Sequence, residues 1–167
     1  MKRNTPVFLE YTICFIKRGD EILLLNRESP SWMGRWNGLG GKIENGESPL
    51  ECVLREVYEE AEIQLEHAEC KGIVSWTKSG GSKGGMYVFV AELPEAIHYE
   101  TPKKTDEGII DWKEISWIIH PENRGVAAHI PSFLPKILEE DGRYEYQFVS
   151  KDGELICYKT IPLGEIY

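Results

Sequence analysis

Hydrophobic and polar positions along the chain fall into two rhythms, short β-prone runs and two stretches at helical spacing. Residues 11–16 and 21–25 are apolar and β-prone, and the polar Lys17-Arg18-Gly19-Asp20 between them predicts a hairpin turn. Residues 29–34, with Pro30, Trp32 and Met33, predict an irregular loop whose large apolar side chains form a lid over the core or a pocket wall. Ser48-Pro49-Leu50-Glu51 is a helix start: Ser48 can cap, Pro49 suits the first helical position, and Glu51 completes a capping box. Leu50, Val53, Leu54, Val57 and Ala61 then recur on one stripe, predicting a helix over residues 49–62.

Further along, residues 72–78 and 86–91 predict strands joined by the glycine-rich stretch 79–85. That joint is not a P-loop, because Lys83 precedes Gly84 instead of following a glycine and leading into Ser or Thr; it predicts a flexible hairpin loop. A strand over 108–113, a helix over 131–140 and a closing hairpin of 144–149 with 155–160 around an Asp152-Gly153 turn complete the pattern. Mixed strands with few helices predict a layered α/β fold with a mixed sheet. The absence of repeats, linkers and low-complexity tracts predicts a single domain spanning 1–167.

Composition narrows the function. With 41% hydrophobic residues in 167, the chain can fill a core without disulfides or a structural metal. The net charge of −9 opposes binding of nucleic-acid polymers, but it permits a small anionic substrate where cations neutralise it locally. Cys14, Cys52, Cys70 and Cys157 have no framework spacing, which predicts free thiols in a reducing compartment. Lys2 and Arg3 precede an apolar run, residues 12–16, too short for a signal peptide, and no run reaches membrane-spanning length. A soluble, cytoplasmic protein without membrane partners is expected, as a monomer or a homodimer.

Candidate chemistry lies on the first helix. Glu56, Glu59 and Glu60 stand at i, i+3 and i+4, sharing an arc of roughly 100° away from the apolar stripe. Three carboxylates so close repel one another unless a cation sits among them, and hard oxygen ligands suit Mg²⁺ or Mn²⁺. The plain alternative is a solvated acidic face, with Arg55 and Glu59 as a surface pair. Residues 40–47, Gly-Gly-Lys-Ile-Glu-Asn-Gly-Glu, weigh against it: they place glycines for close backbone approach, a cation and a further carboxylate just before the helix N-terminus.

Gly41, Glu47, Arg55, Glu56, Val57, Glu59, Glu60 and Ile63 match the Nudix box, Gly-x5-Glu-x7-Arg-Glu-U-x-Glu-Glu-x-Gly-U with U a bulky aliphatic residue, so the chain resembles the Nudix hydrolase family. One defined position departs, Glu62 standing where the family has its second glycine, and this predicts a strained helix exit or a helix longer by a turn. Residues 34–42 resemble the stretch before the box in MutT-like enzymes that sanitise oxidised purine nucleotides, and Thr105-Asp106-Glu107 with the final helix and hairpin follow the order of that subgroup.

The resemblance implies a Nudix fold, an α/β/α sandwich with a mixed β-sheet and a catalytic loop-helix motif. It implies that the Gly40 carbonyl, Glu56 and Glu60 hold Mg²⁺, or Mn²⁺, with Glu59 a further ligand or the group that orients water. Arg55 would pin Glu47, Lys42 would meet the phosphate chain, and Glu107 would approach from outside the box as ligand or general base. Asn37 stands at the position that hydrogen-bonds the purine, and Trp32, Met33 and Trp36 could line a stacking pocket, with core packing the alternative for Trp36. The implied reaction is hydrolysis of a purine nucleoside triphosphate such as 8-oxo-dGTP to the monophosphate and pyrophosphate, a nucleotide-pool function that protects DNA from miscoding precursors. Only Pro121-Glu122-Asn123 offers a counterpart to the late acidic residues that read an oxidised base in such enzymes.

Other readings stay open. A nucleotide sugar or dinucleotide could replace the triphosphate, because the box reads only the diphosphate and its metal. A non-catalytic Nudix-fold regulator that binds nucleotides is the rival from another class, set against the intact acidic positions of the box. Nucleophilic Ser or Cys hydrolysis lacks a Gly-x-Ser-x-Gly elbow, and zinc chemistry would rest on His67 with Cys70 alone, since His98, His120 and His129 are isolated.

Overall fold

The computed structural model describes residues 9–30, 32–77, 81–127, 129–152 and 154–164. Lys2, Arg3, Ser31 of the expected lid loop, Lys78 at the end of the expected strand 72–78, residues 79–80 of the glycine-rich joint and Gly153 of the Asp-Gly turn lie outside them. The elements are β1 (Tyr11–Arg18), β2 (Glu21–Arg27), β3 (Trp36–Asn37), α1 (Pro49–Ala61), β4 (Glu69–Thr77), β5 (Lys83–Glu92), β6 (Lys103–Lys104), β7 (Gly108–Glu114), α2 (Ile115–Ile118), α3 (Ile130–Glu139), β8 (Tyr144–Lys151) and β9 (Glu154–Pro162). Every strand expected from the pattern is present. The short β3, β6 and α2 go beyond it, because two to four residues carry no periodicity to detect.

The nine described strands form one mixed sheet in the order β6-β7-β2-β1-β5-β4-β8-β9, with β3 paired to β2 off that path. The pairs β1–β5 and β4–β8 are parallel and the rest antiparallel. Side chains alternate between two cores, which is why β1 and β2 read as continuous apolar runs. Ile13, Phe15, Ile22 and Leu24 pack with Ile118, Phe133, Leu134 and Ile137 of α2 and α3. Cys14, Ile16, Leu23 and Leu25 pack with Val53, Val57 and Ala61 of α1. Each such fully buried aliphatic contributes about 1.5–3 kcal/mol. Helices thus cover both faces, giving the expected α/β/α layering. No helix among the described residues is long and apolar enough to cross a membrane.

A split in the sheet positions the site. β2 pairs with β1 only through Glu21 to Leu23, then passes its Leu25 and Asn26 to β3. The edge of β1 so opened receives the following loop instead: Cys14 N donates to Leu39 O at 2.6 Å, Leu39 N to Cys14 O at 3.1 Å, and Thr12 N to Gly41 O at 2.9 Å. Gly38 to Lys42 are therefore held as a short pseudo-strand against the sheet. On its other side β3 is tied to the segment before α3, with Trp36 N donating to Gly125 O and Ala127 N to Trp36 O, both at 2.8 Å.

Candidate active site

α1 starts where the sequence places it, with the Ser48 hydroxyl accepting from Glu51 N at 3.1 Å. It ends one residue earlier than expected, at Ala61, so the longer-helix alternative for Glu62 fails and the strained exit holds. Glu62 takes the left-handed conformation (φ 57, ψ 27) that favours glycine, and its N–H donates to Tyr58 O. Its side chain meets Lys103 Nζ at 2.6 Å, an exposed tie between the helix end and β6. α3 likewise begins at Ile130 and ends at Glu139, one residue earlier at each end than expected.

On α1, Arg55 organises the loop. Its Nε donates to Glu47 Oε2 at 2.6 Å and its Nη2 to Glu47 Oε1 at 2.9 Å, the two-pronged bond expected for this pair. The same guanidinium reaches Glu56 Oε1 at 2.9 Å, Glu59 Oε2 at 3.2 Å and the Lys42 carbonyl at 3.2 Å. Hydrogen bonding from Arg55, the largest cause, holds the Glu47 carboxyl down to about 2, and the same bonds raise Arg55 above its ordinary range.

Two glycines allow the carboxylates to approach. A Cβ on Gly40 (φ 149) would stand 2.1 Å from Thr12 O, and one on Gly41 would stand 2.5 Å from the Glu56 carboxylate. Gly40 N donates to Glu60 Oε1 at 2.9 Å. Glu60 is 7% exposed, which corrects its placement on a face clear of the apolar stripe: it borders Val53 and is buried with it. Burial, the largest cause, pushes Glu60 up to about 8 against the Gly40 bond, with the charges of Glu56 and Glu107 adding to the rise. Burial also raises Glu56; Arg55 opposes this, and Glu59 and Glu107 add to it.

Glu107 is placed in the turn before β7, with Glu28 N donating to its carbonyl and its own N–H donating to the Thr105 hydroxyl. Its charge adds to the upward shift of both Glu56 and Glu60, and its side chain makes no hydrogen bond or ion pair with a box residue among the described residues. The donor set of four carboxylates and the Gly40 carbonyl is the hard-oxygen chemistry a Mg²⁺-type cation takes. Among the described residues, however, no three carboxylate, His or Cys side chains converge at ligating distance. The expected five-member ligand set is not drawn together, because Arg55 holds Glu56 and Glu59 to itself.

Arg27 escapes a reading by sequence alone. It closes β2 opposite Gly108 of β7, its charge lowers Glu60, and its buried Nε has no hydrogen-bond partner. A cation ending an otherwise apolar strand is the available signal. Lys42 is exposed beside the box, its backbone bridged to Tyr11. Buried Cys52 lies beneath Gly41, its thiol pushed up to about 11 chiefly by burial, which makes it inert as a nucleophile.

The expected base pocket is assembled only in part. Asn37 lies in β3 and its Oδ1 accepts from Gly38 N at 2.9 Å. Trp36 is half-buried against the α3-side core and Lys113 Nζ lies 4.4 Å from its ring centre, which favours the core alternative. Trp32 (φ 63) and Met33 are exposed, with the Arg35 guanidinium 5.6 Å from the Trp32 ring. Nearby, a cavity of about 300 Å³ lies between Arg35, the 121–127 segment and the start of α3.

Comparison with known proteins agrees with the geometry. The model of the NUDIX domain family matches residues 9–136. The chain is 28% identical over 158 residues to the uncharacterized Nudix hydrolase YvcI of Bacillus subtilis, covering 90% of this chain and 93% of that protein. It is 27% identical over 109 residues to the oxidized purine nucleoside triphosphate hydrolase of Mus musculus, covering 65% and 67%. Among solved structures, the mutator MutT protein from Bacillus halodurans superposes with a TM-score of 0.73 at 31% identity, covering 90% of this chain and 95% of that one.

Proposed function

The chain belongs to the Nudix family, as a MutT-like Nudix pyrophosphohydrolase, and from that premise we propose that it hydrolyses a nucleoside triphosphate between the α- and β-phosphates, releasing the monophosphate and pyrophosphate. The observation that carries this reading is the glycine cradle that brings two box carboxylates to the loop: Gly40 N donates to buried Glu60 Oε1 at 2.9 Å, and Gly41 leaves room for the Glu56 carboxylate where a Cβ would stand 2.5 Å from it.

A divalent cation, Mg²⁺ or Mn²⁺, held by Glu56, Glu59, Glu60, Glu107 and the Gly40 carbonyl, would neutralise charge on the phosphate chain and acidify the attacking water. The protein's own groups do the remainder. Arg55 locks Glu47 and the 40–47 loop onto α1, so the carboxylates keep their spacing. Lys42, exposed beside the box, binds the phosphate chain, and the charge of Arg27 partly offsets that of the carboxylates at Glu60. Water oxygen bonds to the β-phosphorus as the bridging oxygen leaves with the α-phosphate, and the water proton passes to one of the clustered carboxylates.

Oxidised purine triphosphates such as 8-oxo-dGTP are the substrates suggested by the mouse relative and the MutT likeness, with Asn37 beside the base. Release of pyrophosphate from purine triphosphates with Mg²⁺, abolished by chelation, is the expected result, and it separates an enzyme from a nucleotide-binding regulator. Turnover of 8-oxo-dGTP equal to that of dGTP would remove the oxidised-purine part of the proposal. Nucleotide sugars and dinucleotides belong in the same screen, because the box addresses only the diphosphate.

A further inference from the structure

The cavity beside Arg35 differs in character from the rest of this acidic chain. Arg35, Arg124 and His129 line it and no carboxylate does, although the molecule carries a net charge of −9. Neither arginine has a carboxylate partner among the described residues. The positive character comes from side chains: in the first turn of α3, Ser132 N and Phe133 N both already donate to His129 O.

The same cavity is poorly equipped to hold a base. Neither Trp32 nor Trp36 lines it, and the one aromatic ring among its lining residues, His129, is stacked on Phe148 at 4.3 Å. Asn123, the lining amide that could read a base edge, is engaged by its own loop, with Nδ2 donating to Trp117 O at 2.7 Å and Oδ1 accepting from Gly125 N at 2.8 Å. Pockets for flat heterocycles are apolar and aromatic, whereas paired guanidinium groups match phosphate oxygens.

Its position relative to the box fits one substrate. Trp36 accepts a hydrogen bond from Ala127 of the cavity wall and donates one to Gly125 beside it, and Gly40 lies four residues further on. Even a fully extended chain places Gly40 within about 14 Å of Trp36, which is bonded to that wall. That is comparable to the reach of a nucleotide from its phosphate chain across the ribose. Bases carry no phosphate, but ribose hydroxyls can.

We propose that this cavity binds a second phosphoryl group, attached to the ribose and remote from the scissile anhydride, so that the preferred substrates are nucleoside 5′-polyphosphates carrying a further phosphate on the sugar. The inference rests on the anhydride-cleaving reading above, and it assigns Arg35 and Arg124 as specificity residues for that group.

The test uses metal-free protein, so that binding is read apart from turnover. Adenosine 3′,5′-bisphosphate, adenosine 2′,5′-bisphosphate and adenosine 5′-monophosphate are titrated calorimetrically in the presence of a chelator. One bisphosphate is expected to bind at least about tenfold more tightly than the monophosphate at low salt. The advantage should shrink in Arg35→Gln with Arg124→Gln and weaken as salt rises. Equal affinities for all three, or a preference untouched by the double substitution, overturns the proposal. Pyrophosphate release from unmodified triphosphates with Mg²⁺ is measured in parallel: turnover without a bisphosphate preference sinks this inference alone, and absence of turnover from any substrate sinks the reading beneath it.

Discussion

The box and the cavity beside Arg35 are built by opposite means. At the box end, nearly every polar atom is cross-locked: Arg55 bonds three carboxylates and a carbonyl, Gly40 N bonds Glu60, and the loop is laced to β1. At the other end, two arginines project from loops without carboxylate partners among the described residues. On the proposed reading, the locked end fixes one geometry around the diphosphate common to all substrates. On the same reading, the open end selects what is attached to that diphosphate.

The most severe test of the contrast is chemical. Glu56→Gln and Glu60→Gln should each lower turnover on the order of 10²- to 10³-fold while the circular dichroism of the fold is unchanged. A variant that keeps full turnover with Mg²⁺ would show that the locked end is scaffold and not machinery. Next in size is Gly40→Ala, whose methyl would meet Thr12 O at 2.1 Å in a backbone conformation that side chains avoid. A loss of about 2–4 kcal/mol in urea unfolding is expected, against a neutral result for Arg124→Ala at the open end.

The same contrast governs what can be read from the sequence. The box end is legible because its parts are contiguous: capping serine, apolar stripe and carboxylates at i, i+3 and i+4 all lie within 41–63, and helical period alone turns spacing into geometry. Even there, period misses the burial of Glu60, because burial depends on where Gly40 is docked from 20 residues upstream. The strands of seven or more residues are equally legible, whereas β3, β6 and α2, of two to four residues, exist only through their partners. The open end is illegible for the same reason. Arg35, Arg124 and His129 span more than 90 residues of chain and meet only because β3 pairs with the segment before α3. Arg27 reaches the site through strand register, which no local pattern encodes.

A third test follows from Arg55. Arg55→Lys keeps the charge but loses the two-pronged bond to Glu47, and turnover should fall about 10- to 100-fold with the fold intact. Its thermodynamic counterpart is pH dependence. The Glu47 carboxyl is held below its ordinary 4.5, at about 2, by Arg55, so its contribution to stability is complete above pH 4.5 and is lost as pH falls through about 2. Glu47→Gln should flatten that acid limb of the melting temperature. An acid limb identical in wild type and variant would mean the pair does not tie the loop to α1.

The smallest effect sharpens the comparison most, because it probes the one place where the locked end departs from its family's pattern. Glu62 occupies a left-handed position that glycine takes without strain, so Glu62→Gly should raise the melting temperature by a few degrees. The gain is limited because the substitution also removes the exposed tie to Lys103. Lys103→Ala separates the two contributions: it should lower stability slightly in the wild-type background and leave the Glu62→Gly variant unchanged. If Lys103→Ala costs the same in both, the tie is incidental, and the glutamate is tolerated at the helix exit without compensation from β6.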